Sequence, residues 1–195
     1  MELIFENFRR YLDTDEDTLT GLSFKEMSQA LGSSMGGAKL ALTDSPLQDR
    51  IYKQGSTMKP NGLWYAKGNS WMEFVRTVAP GMVEDAKYVY SIGFDKSEIV
   101  NIASGKQAER FTYRFKDREL SRKSNISVVD WDSATKVGNA GVEFMPYERG
   151  YLSADYTMAW YLGIDVPSGC IWDTSMLTTK QLVAELKENG WEVYR

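Results

Sequence analysis

Histidine is missing from all 195 residues, and cysteine occurs once, as Cys170. Without imidazole the chain can build neither a Ser-His-Asp nor a Cys-His catalytic pair, nor a histidine-ligated zinc site. A single thiol closes no internal disulfide and holds no iron–sulfur cluster within one chain, and it suits a reducing compartment. No spacing of carboxylates proposes a metal site. No apolar run reaches the roughly 20 residues that span a bilayer, and the first residues carry no signal-peptide core. The expectation is a soluble protein of the cytoplasm without a membrane or metal partner. Any catalyst must draw on carboxylates, Tyr, Lys, Arg, Ser or backbone amides.

What is present is an ordinary globular composition, with 43% hydrophobic and 13% aromatic residues. The length fits one domain able to bury a real core. A net charge of −4, from 23 basic and 27 acidic residues, gives no general footprint for nucleic acid, so only a local basic patch would serve one.

Residues 1–40 read as a helical N-terminal part. Phe5, Phe8, Tyr11 and Leu12 recur at helical spacing, and Ser23 with Glu26 forms a capping box for a helix through Leu31. Gly32 to Lys39 is glycine-rich but departs from a phosphate loop. Ala38 separates the glycine from the lysine, Leu40 follows, and no apolar strand precedes; a loop or lid is expected. Asp44-Ser45-Pro46 signals a turn, and Arg50-Ile51-Tyr52 a short strand.

Lys59 to Ala66 then reads as turn and strand. Pro60 pushes Lys59 to extended backbone, Gly62 admits a close neighbour, and Leu63, Trp64 and Tyr65 supply strand-favouring bulk. Asn69 and Ser70 offer a cap to a helix from Trp71 to Val78. Lys87 to Phe94 alternates as a strand, with Tyr88, Tyr90 and Ile92 on one face. Gln107 to Arg122 reads as a surface helix and holds the main basic concentration, a solvated face before it is a phosphate site. Strands are expected at Ile126 to Trp131, Gly141 to Met145 and Cys170 to Trp172, with a helix capped by Ser153 between the last two. Thr178 with Gln181 caps a terminal helix, Lys180 to Asn189, ended by Gly190 and followed by a strand from Trp191 to Tyr194. The whole is α+β: one domain, 1–195, of small mixed or antiparallel sheets packed by helices.

Three blocks carry glycine or proline, an aromatic ring and a polar group at a strand edge: 59–66, 141–147 and 168–173. Ligand clefts combine aromatic walls with a few placed polar atoms. Lys59, Gly62, Trp64, Tyr65, Tyr147, Ser168 and Trp172 are therefore the candidate ligand-binding residues, with Trp64, Tyr147 and Trp172 as stacking surfaces for a planar ring. Glu143, beside large apolar neighbours, is the candidate catalytic acid, against a plain reading as an outward strand carboxylate. Cys170 reads as a buried, inert thiol.

The blocks Lys59-Pro60-x-Gly62-Leu63-Trp64-Tyr65, Gly141-Val142-Glu143-x-x-Pro146-Tyr147 and Ser168-Gly169-Cys170-Ile171-Trp172 together resemble a family of phage and bacterial proteins with a KPxGLW block near the front and an SGCIW block near the end. The match covers about residues 55–175. Size, acidity and a Phe-rich start also resemble accessory proteins of T-even-type phages that protect against a host DNA ADP-ribosyltransferase toxin. That resemblance implies a counter-defence factor that binds a host protein, the toxin included, or a nucleotide. The order of blocks is also similar to the ADP-ribosyltransferase fold, which implies NAD as a cofactor and Glu143 in the place of the late-strand acid. The departures are the absent histidine, Ser-Thr-Ser run and Glu-x-Glu pair, so a binding-only version is the expectation and an NAD-using transferase the alternative.

Overall fold

The computed structural model describes residues 18–137, 139–148 and 158–194. Its frame is a sheet whose strands are β1 (Thr18–Leu22), β2 (Lys39–Thr43), β4 (Leu63–Lys67), β5 (Tyr88–Phe94), β6 (Ile99–Asn101), β8 (Gly141–Phe144), β9 (Ser168–Ile171), β10 (Leu177–Lys187) and β11 (Gly190–Tyr194). They lie in the order β1-β11-β10-β5-β2-β4-β9-β8-β6, and every pair is antiparallel except β6 with β8. A separate small ladder joins β3 (Ser56–Thr57) to β7 (Val129–Asp130). The helices are α1 (Phe24–Met35), α2 (Ser70–Val78), α3 (Gly105–Phe115), α4 (Arg118–Ser124), α5 (Trp131–Thr135) and α6 (Ala159–Leu162). The class is α+β, with the strands gathered mainly into one large sheet.

Side chains alternate across each strand, so the sheet has two distinct faces. One face is covered by helices. Leu40, Val89, Val193 and Trp191 meet Met27 and Leu31 of α1 and Met72 of α2. Farther along the same face, Val142, Phe144 and Cys170 meet Phe111 of α3, Trp131 of α5 and Trp160 of α6. The other face carries Ala41, Leu63, Tyr65, Tyr90, Ile92 and Ile171, covered in part by Leu47, Met145 and Leu177 from loops and strand ends.

The capping box is formed: the Ser23 hydroxyl accepts from the Glu26 amide, and Glu26 accepts from the Ser23 amide. Its helix runs on to Met35, so the first half of the expected 32–39 loop is a last helical turn and its end is strand β2. Thr18–Leu22, expected within helix, is an edge strand paired with β11. Residues 1–17 and the Ser153 cap lie outside the described residues.

Helix α2 and strand β5 fall where the spacing puts them, though Asn69 makes no side-chain cap bond. The expected strand 50–52 is reduced to one bridge, Ile51 with Asp173. The expected helix 107–122 is two helices. Asp117 breaks it by accepting from the Leu120 amide at 2.9 Å, starting α4 afresh. Of the expected strand 126–131 only Val129–Asp130 pairs, because Asp130 caps α5 and Trp131 turns into the core.

The largest correction is the C-terminal helix. Lys180 to Lys187 is strand and Glu188-Asn189 the turn after it, and Thr178 and Gln181 lie in the strand and form no cap. The segment has a β5 partner on one side and a β11 partner on the other, so ladder bonds replace the helical ones. Two register shifts, between Leu177 and Thr179 and between Leu182 and Ala184, blur the period-two pattern that would have announced a strand. Gly190, read as a helix stop, instead turns the hairpin at φ +121.

Candidate functional site

One row of the sheet register runs Leu182, Tyr90, Ala41, Tyr65, Gly169, Glu143 across neighbouring strands. Gly169 leaves a flat spot between two large neighbours, and the Tyr65 ring lies across it. A Cβ on Gly169 would sit 2.7 Å from Tyr65 Cε1 and closer still to Cζ and the hydroxyl. So placed, the Tyr65 hydroxyl donates to Glu143 Oε1 at 3.1 Å. Lys39 Nζ pairs with the same oxygen and rests over the rings of Tyr65 and Phe94, 5.2 and 4.7 Å from their centroids. Burial and the Glu143 carboxylate drive the Tyr65 phenol far above its usual range. Glu143, only 8% exposed, is therefore an inward-facing acid held by a cation and a phenol. The plain reading of it as an outward carboxylate is corrected.

The other place of interest is a cleft of about 590 Å³. The ladder between β2 and β4 stops at the Ala41–Tyr65 pair, while β2 continues along β5 to Thr43 and β4 along β9 to Leu63. The cleft opens at this parting, walled by Leu42 and Thr43 on one side and Gly62, Leu63 and Trp64 on the other. Three aromatic rings line it, Tyr52, Trp64 and Trp71, with the cations Arg50 and Lys59. The Arg50 guanidinium lies over the Tyr52 ring at 4.6 Å. Lys59 Nζ lies 5.8 Å from the Trp64 ring and 3.3 Å from Asp165 Oδ2. Trp64 is itself held by stacking on Phe144, with 17° between the planes. Gly62 is dictated by packing: a Cβ there would meet the Cys170 sulfur at 2.7 Å and the Ile171 carbonyl carbon at 2.9 Å.

Of the candidate residues, Lys59, Gly62, Trp64 and Ser168 line this cleft. Tyr65 and Glu143 meet each other beneath the opposite face of the sheet. Trp172 is sealed in the core at 3% exposure, its indole N–H donating to the Asn139 carbonyl at 2.7 Å. Tyr147 packs on Tyr161, ring centroids 5.0 Å apart. Neither belongs to the cleft, so the expected single hollow is two places. The Cys170 thiol is fully buried and pushed well up by desolvation, consistent with an inert side chain.

Lys39, Arg50, Tyr52, Trp71 and Asp165 are not among the candidate ligand-binding residues, although Arg50 or Lys59 would take the place of the early-strand Arg or His in the ADP-ribosyltransferase resemblance. For Lys39 a signal existed, since Lys39 to Thr43 alternates like a strand, but the glycines before it pointed to a loop. Arg50 and Tyr52 sit in a weakly periodic stretch that reads only as a short strand, with nothing to mark a cleft wall. Among the described residues no group of three or more Asp, Glu or Cys is gathered as a metal site, and no helix is long and apolar enough to cross a membrane. Compared with family models, curated proteins and solved structures, the chain matches none.

Proposed function

We propose that this protein acts by binding rather than by turnover, and that its ligand is a nucleotide seated in the cleft where β2 and β4 part. The observation that carries this is the pairing of cation with aromatic ring twice in one cleft, Arg50 on Tyr52 and Lys59 on Trp64. A base needs a flat apolar face and a phosphate needs a cation beside it. Cations held over rings also gain roughly 0.5–2 kcal/mol each and keep their position before the ligand arrives. A cleft of about 590 Å³ falls among those that hold small molecules.

The transferase alternative needs an acid next to the stacked ring. Trp64 and Tyr65 are successive strand residues and so face opposite ways, and Glu143 lies with Tyr65. Its carboxylate is already engaged by Lys39. Binding without turnover fits these positions better. Within the counter-defence setting that the sequence resemblance implies, the protein would hold a nucleotide, or a nucleotide-bearing host protein, out of reach of a toxin in the host cytoplasm.

Titration with NAD⁺, ADP and ATP, read by quenching of tryptophan fluorescence and by calorimetry, tests the proposal. Saturable binding to at least one, weakened about 10-fold or more by Trp64→Ala and by Lys59→Ala, is the expected result. Absence of saturation with all three at millimolar ligand, or binding indifferent to both substitutions, refutes it. Catalytic consumption of NAD⁺ that Glu143→Gln abolishes would restore the transferase.

A further inference from the structure

Helices α3 and α4 carry a surface that the cleft does not use. Ala108, Phe111, Thr112 and Phe115 turn inward, and Phe111 packs against Trp131 and Trp160 with ring centroids 5.5 and 5.9 Å apart. That anchoring fixes what the outer side presents. Lys106, Arg110 and Tyr113 follow one another at helical spacing on it, with Arg114 next to them. Tyr113 is 88% exposed, the highest value among the exposed large apolar side chains.

The charges here are unbalanced. Asp117 caps α4 and accepts from the Ser56 hydroxyl at 2.7 Å, bonds to neutral donors that leave its charge in place. Glu119 is paired with Lys123. Among the described residues, Lys106, Arg110, Arg114, Lys116, Arg118 and Arg122 have no carboxylate partner. Glu109, Asp117 and, at the start of α3, Glu148, which accepts from the Gly105 amide at 2.8 Å, are the acids that offset them in part. The six unpaired cations outnumber these acids, so the face is basic on balance on a chain whose net charge is −4.

We propose that the α3–α4 surface binds single-stranded nucleic acid, with Tyr113 as the platform for a base and the unpaired cations along the phosphates. Lysine and arginine alone would serve any polyanion. The bare ring decides for a strand with unstacked bases, because a paired duplex offers no base face to it and a phosphate gains nothing from it. The site reads no sequence, since every base has a π-face and the cations meet only phosphates.

Fluorescence anisotropy of labelled dT20, U20 and a 20-base-pair duplex with the whole protein tests this. Expected are saturable binding of both single strands at low salt, weaker binding of the duplex, and a slope of log K against log salt of about −2 to −3, for three or four phosphates. Tyr113→Ala, at an exposed site that leaves the fold intact by circular dichroism, weakens single-strand binding about 10-fold with the slope unchanged. Arg110→Ala and Arg114→Ala each make the slope shallower by about 0.7. No binding at 20 mM salt, or binding untouched by all three substitutions, overturns the proposal. So does binding of phosphatidylserine vesicles but not of the oligonucleotides. A loss on Trp64→Ala equal to that on Tyr113→Ala would put the strand in the cleft and overturn the assignment as well.

Discussion

Replacing Gly169 by alanine puts a methyl group where the Tyr65 ring now lies. The new carbon would stand 2.7 Å from Cε1 and nearer to the end of the ring, well inside contact distance, so the ring has to leave. Two losses follow. The crowding itself costs about 1–3 kcal/mol, the usual range for overpacked cores. The hydrogen bond to Glu143 goes with the ring, and a bond to a charged acceptor is worth about 1.5–3 kcal/mol. Together they come to about 2.5–6 kcal/mol, a large fraction of the roughly 5–15 kcal/mol that holds an ordinary domain. In urea, with a slope of about 2 kcal/mol per molar, the midpoint should fall by about 1–3 M. Tyr65→Phe, which keeps the ring and removes only the hydroxyl, should cost about 1.5–3 kcal/mol. Tyr65→Leu removes the atoms that collide, so Gly169→Ala in that background should cost less than about 1 kcal/mol. Equal cost of Gly169→Ala in both backgrounds, or a cost below about 1 kcal/mol in the native chain, would refute the claim that this glycine exists to let the tyrosine across.

Lys39→Met leaves Glu143 as a mostly buried charge without its cation and should destabilise by about 3–5 kcal/mol in denaturant melts, while Lys39→Met with Glu143→Leu should cost clearly less than the two singly. Gly62→Ala drives a methyl into the Cys170 sulfur and the Ile171 backbone, which cannot yield as a side-chain tip can. It should therefore displace the start of β4 and weaken cleft binding as well as stability, read by the same titration and a thermal melt. Stability should be flat from about pH 5.5 to 7, because no side chain with an ordinary pKa lies there. Below that range it should fall. The Arg76 guanidinium lowers the Glu73 carboxyl and the Ser23 hydroxyl lowers Glu26, so each adds stability that is whole above about 4.5 and fades as pH drops through the lowered values. A melt that shifts strongly between pH 5.5 and 7 would contradict this. Cys170 should resist a thiol reagent in the native protein and react at once in urea; rapid native labelling would show the core more open than described.

Local chemistry made several features legible in the chain. The absence of imidazole, the Ser23–Glu26 capping box, the strand at 88–94 with its two faces, the Gly62-Leu63-Trp64 strand entry and the buried thiol all depend on residues close together in sequence. Pairing partners far along the chain decided the rest. The segment after Leu177 carries helical signals throughout, yet it is strand because β5 and β11 occupy both of its edges and bulges absorb its broken period. Glu143 and Trp64 stand in blocks of similar character, but which side of a sheet each faces depends on register, and a shift of one residue reverses it. The cleft itself arises where two strands lose their shared register, an event with no residue to mark it. The sequence alone therefore determined the class of the fold and the chemistry this protein lacks. Only the tertiary structure decided which rings and charges share a surface, because side-chain direction in a sheet follows from long-range pairing that local composition does not encode.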